Sequence, residues 1–336
     1  MVISIMLLAI LIICLSVGLA APKREMQSCS GNLPDGMRPG KEYTMSYPGS
    51  ERDWLLFIPA NYSFSKPNPV VLSYHGGGRT PERQRDLDLL ESPEFNTDYV
   101  VVYPRGIEGR WEGTPEITPR DDVGYTIDIL DELSDKLCID ESRIYMTGKS
   151  NGGGFVGLAA CDQRLSSRIA AFAPVSGSFY VEGDAKCNPD TVPLVCDKGS
   201  AAVPMLEIHG GSDETIHYKG DGSRRGACLP SVPHWVEAWA ARDGVLAEAA
   251  GTGRTKWTGK AKVRSWGPGT EGFGLVTHVY EAGLGHSWPS KRKNEDNGPK
   301  PKGNGDGPAS FDATEAILRF FGGYRLGETG GEASAG

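Results

Sequence analysis

A serine, an aspartate and a histidine stand in this sequence in settings from which they could carry acyl transfer through a serine nucleophile. Gly148-Lys149-Ser150-Asn151-Gly152 fits the pattern Gly-x-Ser-x-Gly, preceded by the apolar run RIYMTG and followed by GGGFVGLAAC, which opens like a helix. A strand that turns at once into a helix forces strained backbone on the central serine, and flanking glycines let the two elements approach without Cβ clashes. The hydroxyl of Ser150 is then presented at a helix N-terminus, where developing negative charge is favoured.

A serine hydroxyl is a poor nucleophile near neutral pH and needs a base to take its proton. Of six histidines, His75 precedes the serine, His209 ends a strand-like run before any acid, and His217 and His234 follow with no further strand between. His278 lies inside a strand pattern, where packing is the ordinary fate. His286, in Gly283-Leu284-Gly285-His286-Ser287-Trp288, falls on a loop after the last strand-like run and is the expected base. Asp213 follows the penultimate run and is the expected acid, holding the imidazole tautomer; Glu207 is inside the strand and Glu214 one step too far along the turn. The oxyanion needs two N–H donors. Asn151, directly after the nucleophile, supplies one, and the segment His75-Gly76-Gly77-Gly78 supplies the other through Gly77, where backbone approaches substrate with no side chain in the way.

These residues need a scaffold of strands ending in loops. Nearly continuous apolar runs at 54–58, 70–74, 99–103, 143–147, 169–174, 204–208 and 276–280 read as strands buried on both faces of a mostly parallel sheet. Helical spacing recurs at 123–137, with apolar residues at 123, 127, 130, 133 and 137, and again at 232–241 and 313–321. Asp121-Asp122 reads as the N-terminal cap of the first of these helices. The alternation predicts an α/β fold, with helices flanking a central sheet. The gaps between the three catalytic candidates leave no room for a large lid. Trp111, Phe179, Tyr180 and Trp288 lie near motif ends, but residues of this kind usually pack a core, so they are set aside from the site.

The net charge of −8 argues against a nucleic-acid partner, which is gripped through clustered Lys and Arg. Residues 1–20 are uncharged and apolar, ending in small residues, and read as a signal peptide; residues 21–326 form one catalytic domain and 327–336 a disordered tail. Removing that leader leaves no membrane segment and six cysteines, none with zinc spacing, so disulfides in an extracellular setting are expected and neither metal nor cofactor is. Position along the chain suggests Cys138–Cys161 at the ends of neighbouring helices, Cys187–Cys196 closing a short ring, and Cys29–Cys228 as the remainder. Asn61-Tyr62-Ser63 is a glycosylation sequon. Residues 291–308, rich in Gly, Pro, Asn and charge, read as a long surface loop.

The segments SYHGGGRT, DDVGYTIDILDEL, CIDESRIYMTGKSNGGGF, RIAAFAPVSGSFY, LEIHGGSDETI, CLPSVPHWVEAW and LVTHVYEAGLGHSWPS resemble the feruloyl esterases of filamentous fungi. That group lies among the carbohydrate esterases, beside acetylxylan esterases and polyhydroxybutyrate depolymerases. The resemblance runs from about Cys29 to Phe321 and places Ser150, Asp213 and His286 on the family's triad motifs. It implies an α/β-hydrolase that cleaves ferulate-type esters on feruloylated plant cell-wall polysaccharide or its fragments, with no cofactor. Acetylxylan or a polyester is the alternative substrate, and a binding protein on an inactive hydrolase scaffold the non-enzymatic reading. The chain departs from the family pattern at 291–308, close to His286.

Overall fold

The computed structural model describes residues 29–327, apart from 30, 48, 51, 116, 182–186, 198, 200–201, 247–248, 254–258, 270–271 and 299–306. The seven apolar runs all become strands, and three further strands complete a ten-stranded sheet among the described residues. Its strands are β1 (Lys41–Ser46), β2 (Asp53–Ile58), β3 (Asn68–Tyr74), β4 (Val100–Pro104), β5 (Ile139–Lys149), β6 (Ala171–Val175), β7 (Met205–Gly210), β8 (Ala249–Gly253), β9 (Lys262–Trp266) and β10 (Val276–Glu281). They lie in the order β1-β2-β4-β3-β5-β6-β7-β10-β9-β8. The six central strands from β4 to β10 are mutually parallel, and antiparallel pairs extend the sheet at both edges. Every residue of β3, β4, β6 and β7 is buried, as their largely apolar sequences suit strands covered on both faces.

Six α-helices accompany the sheet among the described residues: α1 (Pro81–Asp88), α2 (Asp122–Lys136), α3 (Asn151–Cys161), α4 (Gln163–Ser166), α5 (Val232–Arg242) and α6 (Ala313–Gly322). Asp121 caps α2 by accepting from Gly124 N–H at 2.7 Å. Its neighbour Asp122 does not cap. It is fully buried and pairs with Arg52 at 2.8 Å. α6 lays Ile317, Phe320 and Phe321 on the sheet, with Phe321 stacked on Tyr145 of β5 at 4.7 Å between ring centres. Because parallel strands all end on one side, the loops after β3, β5, β7 and β10 meet at a single edge, where ligands bind in open α/β sheets.

Three disulfides form, but all three expected pairings are wrong. The bonds are Cys29–Cys138, Cys161–Cys196 and Cys187–Cys228. Cys138 lies past the end of α2 and its sulfur faces the Lys66 carbonyl, away from α3, so it meets the N-terminal segment instead. The short ring from Cys187 to Cys196 does not close because that segment spans two sites. At its start Cys187 N–H bonds Gly222 O, and at its end Asp197 bridges Asp162 just beyond α3. Ease of local ring closure loses to the extended path of the segment.

Over the described residues 291–298 the expected surface loop carries no helix or strand, and Lys291, Arg292, Lys293 and Glu295 are exposed, but part of it turns inward. Asp296 and Asn297 are buried, and Asn297 and Asn294 fold residues 288–297 through their side-chain amides onto the carbonyls of Trp288, Ser290 and Arg292. Residues 299–306, the leader at 1–20 and all of the tail beyond Gly327 lie outside the described residues. Asn61 is exposed. Among the described residues no helix is long and apolar enough to cross a membrane.

Candidate active site

β5 ends at Lys149 and α3 begins at Asn151, so Ser150 alone makes the turn. Its backbone is held at φ 56° and ψ −115°, a region costing a non-glycine residue on the order of 1–3 kcal/mol. The surroundings enforce this. Ser150 N–H donates to Val175 O at 2.9 Å, and its carbonyl accepts from Gly154 at 2.8 Å and Ser178 at 3.0 Å. A Cβ at Gly148 would stand 2.8 Å from the Tyr74 carbonyl oxygen, and one at Gly152 only 2.2 Å from it. Both motif glycines are therefore required by the closeness of β3.

Asp213 lies on the turn after β7 and His286 on the loop after β10, and the parallel pairing of those two strands brings the turns together. His286 Nδ1 donates to Asp213 Oδ2 at 2.7 Å. The other oxygen, Oδ1, accepts the N–H groups of Thr215 at 2.8 Å and Ile216 at 2.7 Å. Burial works against the Asp213 charge, but His209 and His286 outweigh it and hold the carboxyl well below the usual range. For His286 burial wins. Together with the charge of Lys149 it lowers the imidazole pKa against the opposing pull of Asp213, which suits a group that must be neutral to accept a proton.

His75, expected outside the triad, organises the neighbouring loop. Gly106 N–H donates to its Nε2 at 3.0 Å, so Nδ1 carries the hydrogen and donates to Gly76 O at 2.9 Å. Burial lowers its pKa to about 4, keeping it neutral in that role. Gly77 is thereby placed against Asn151, whose Cβ would be 3.5 Å from a Cβ at Gly77. Among the described residues neither the Gly77 nor the Asn151 N–H has an acceptor. The Asn151 side chain grips the opposite loop, accepting from Trp111 N–H at 2.9 Å and donating to Thr114 Oγ1. Trp111 in turn donates through Nε1 to His75 O.

Two features escaped the sequence. The variable motif residue Lys149 is buried and pairs at 2.7 Å with Asp296, whose Oδ2 also accepts Trp288 N–H at 3.0 Å. The pair ties the Ser150 turn to the loop carrying His286. Behind Asp213 runs a second polar chain. His209 Nδ1 lies 2.9 Å from Glu207 Oε1, His278 Nδ1 lies 2.7 Å from Glu207 Oε2, and Tyr218 Oη is 3.0 Å from His278 Nε2. A buried Glu within a strand and a second His two residues on are the sequence signals that could have drawn attention to it.

Ser150, His286, Gly77 and Asn151 line one cavity of about 350 Å³. Tyr180 shares that lining. Trp111 and Trp288 are fully buried, and Phe179 stacks on Trp235 at 3.6 Å, so those three aromatics pack. Among the described residues no group of His, Cys, Asp and Glu is placed to hold a metal ion.

No family model matches the chain. It is 28% identical over 244 residues to the bifunctional acetylxylan esterase/xylanase XynS20E of Neocallimastix patriciarum, covering 71% of this chain and 31% of that one. It is 27% identical over 175 residues to feruloyl esterase B of Piromyces equi, covering 50% and 30%, and 27% over 192 residues to feruloyl esterase D of Neurospora crassa, covering 54% and 60%. The chain thus spans less than two thirds of the length of each of these relatives. Its structure superposes on acetyl xylan esterase from Aspergillus awamori with a TM-score of 0.52 at 17% identity, covering 74% of this chain and 94% of that one. The protein has the α/β-hydrolase fold and is similar in sequence to feruloyl and acetylxylan esterases.

Proposed function

We propose that this protein is a secreted serine carboxylesterase that hydrolyses ferulate-type esters on plant cell-wall polysaccharide, with Ser150 as nucleophile, His286 as base and Asp213 as acid. The observation that carries the reading is the strained Ser150 turn opening on the same cavity as His286, whose other ring nitrogen is bound to Asp213. Ser150 Oγ attacks the ester carbonyl carbon while His286 Nε2 takes its proton, and the carbonyl oxygen becomes an oxyanion facing the N–H groups of Gly77 and Asn151. Collapse breaks the bond to the sugar oxygen, which takes the proton from His286 and leaves as an alcohol. Water then attacks the acyl-enzyme by the same path, His286 accepting its proton and returning it to Ser150 as the free acid departs. Asp213 stays ionised throughout, stabilising the imidazolium.

The feruloyl esterases among its relatives support the acyl group, and the disulfides support an oxidising, extracellular compartment. Acetylxylan is the second substrate reading, favoured by the relative that carries that activity in its name. Purified protein is assayed for release of ferulate from wheat arabinoxylan beside acetate release from acetylated xylan. Ser150→Ala, His286→Ala and Asp213→Asn each abolish most turnover, and pairs of them add little to the Ser150 change because the three act as one unit. Near wild-type turnover in any of them removes that residue from the triad. A folded protein that cleaves neither ester returns the scaffold to a binding role.

A further inference from the structure

The wall of the catalytic cavity is far more basic than the rest of the molecule. Arg79, Arg83, Arg110, Arg224 and Arg225 line it with Lys149, in a protein whose net charge is −8. Two acids share the wall, and each is already matched by a cation there: Asp296 by Lys149 at 2.7 Å and Glu295 by Arg83 at 3.9 Å. Among the described residues Arg79, Arg110, Arg224 and Arg225 form no ion pair. Elsewhere among the described residues most arginines are paired, as Arg52, Arg85, Arg105, Arg143 and Arg168 are, with Arg38 and Arg242 the exceptions.

Position makes the cluster more than a solvated face. Arg79 lies two residues beyond the oxyanion glycine Gly77, and Arg110 abuts Trp111, the residue gripped by Asn151. Arg224 and Arg225 come from the loop after β7, across the sheet order from β3 and β4, so cations approach Ser150 from both sides. Arg225 is held at φ 51° in a tight turn whose end is fixed by the Cys187–Cys228 bond. Backbone strain of this kind persists where the surroundings over-determine it and gathers at functional sites. Arg224 Nε donates to Tyr180 Oη at 3.2 Å, which sets its guanidinium beside the phenol oxygen of another residue lining the cavity.

A neutral ester gives these guanidinium groups nothing to neutralise. Ferulate bound through its carboxyl is uncharged near neutral pH, its phenol titrating near that of tyrosine, about 10, and a neutral xylan chain is uncharged as well. Guanidinium forks match carboxylates, and a cleft lined with one sign of charge concentrates ligands of the other. We propose that the cavity selects esters borne by an acidic saccharide, with a uronate carboxylate close to the scissile bond on the alcohol side. The inference rests on the esterase reading above and names the class of sugar that reading leaves open.

The test compares matched acetyl and feruloyl esters of a neutral methyl hexoside and of the corresponding methyl hexuronoside, using the full chain. The expected kcat/KM favours the uronate at least tenfold at low ionic strength, shrinking to less than threefold at high salt as screening sets in. Arg79→Gln combined with Arg225→Gln lowers the uronate-to-neutral ratio at least fivefold. Binding of an unesterified oligouronate to the Ser150→Ala protein reads the same wall without turnover. Cleavage of neutral esters with a ratio near one, or a ratio the double replacement leaves intact, overturns the inference while the esterase reading stands. Salt-sensitive oligouronate binding without cleavage of any ester has the opposite meaning: the acidic ligand stands and the esterase reading falls.

Discussion

His209 Nε2 stands 3.3 Å from Asp213 Oδ2, the same oxygen that His286 Nδ1 reaches at 2.7 Å. Asp213 is therefore held between two imidazoles, one facing the cavity and one facing the core. Burial disfavours a charged His209, but Glu207 and Asp213 outweigh it and raise its pKa to about 10. Protonated, its Nε2–H is shared between Asp213 and Ile216 O at 2.9 Å, while Nδ1–H serves Glu207. Orientation of the acid is thus set from behind by a cation.

His209→Gln tests this positioning role. The amide keeps one donor but loses the charge, and a charge-assisted bond is worth about 1.5–3 kcal/mol, so kcat falls on the order of 10- to 100-fold with KM little changed. The pH dependence of stability gives a second readout. A histidine whose folded pKa lies above its unfolded value stabilises fully below the unfolded value, about 6.5, and loses that contribution as pH rises through its folded value. The wild-type melting temperature should decline between about pH 6.5 and the folded value, and His209→Gln should flatten that decline. Unchanged kcat together with an unchanged alkaline slope would count against the role.

In the proposed mechanism the depressed pKa of His286 sets the acidic limb of activity. The imidazole must be neutral to accept the Ser150 proton, so the limb's midpoint should fall below the unperturbed histidine value of about 6.5. Burial is the larger cause and Lys149 the next, while Asp296 pulls weakly the other way. Replacing both members of the pair, Lys149→Met with Asp296→Leu, removes more depression than support, and the midpoint should move up. A midpoint above 7 in the wild type, or none of this movement in the double variant, would show that His286 is not governed by these charges.

The Lys149–Asp296 pair also makes a stability prediction. Asp296→Ala alone leaves a buried ammonium without its partner and the Trp288 N–H without an acceptor. Breaking a buried pair from one side typically costs about 3–5 kcal/mol, whereas replacing both sides by apolar groups is often close to neutral. Urea unfolding should therefore show Asp296→Ala to be much less stable than the Lys149→Met, Asp296→Leu double variant. Equal losses in the two would mean that the pair contributes nothing specific to tying the loop down.

Strong local signals made much of this legible in the sequence. The buried strands announce themselves because β4 and β6 are apolar without interruption and β3 and β7 nearly so, and the strand–serine–helix junction has few other uses. Elements supported by polar contacts were silent. α1, PERQRDLD, has no apolar stripe; it is secured by its Thr80 cap, the Arg85–Glu42 pair and the buried contact of Ser73 with Asp88. β1 is half-exposed and polar, and β8 is made of Ala, Gly and Thr, so neither carries a strand pattern. Asp296 looked like one charge in a charged loop, because its partner lies about 150 residues earlier and only the fold brings them together. Cysteine pairing failed for the same reason, since it depends on where the chain travels and not on how near two residues are in sequence.

That pairing supplies the last prediction. Digestion of the non-reduced protein should yield peptides joined through Cys29–Cys138, Cys161–Cys196 and Cys187–Cys228. The three bonds close segments of 109, 35 and 41 residues respectively. In the loop-entropy model the first stabilises by about 5 kcal/mol and each of the others by about 4, before any strain. Paired Cys→Ser replacements made one bond at a time should therefore rank Cys29–Cys138 as the costliest loss by about 1 kcal/mol. The Cys187–Cys228 loss should show a different signature, because that bond fixes the end of the turn presenting Arg224 and Arg225. Its removal should raise KM, whereas the Cys161–Cys196 loss, at the C-terminal end of α3, should lower melting temperature with KM little changed. A non-reduced map with any other connectivity, or a Cys187–Cys228 variant with unaltered KM, would separate the turn from the disulfide and leave the arginines to be held by hydrogen bonds alone.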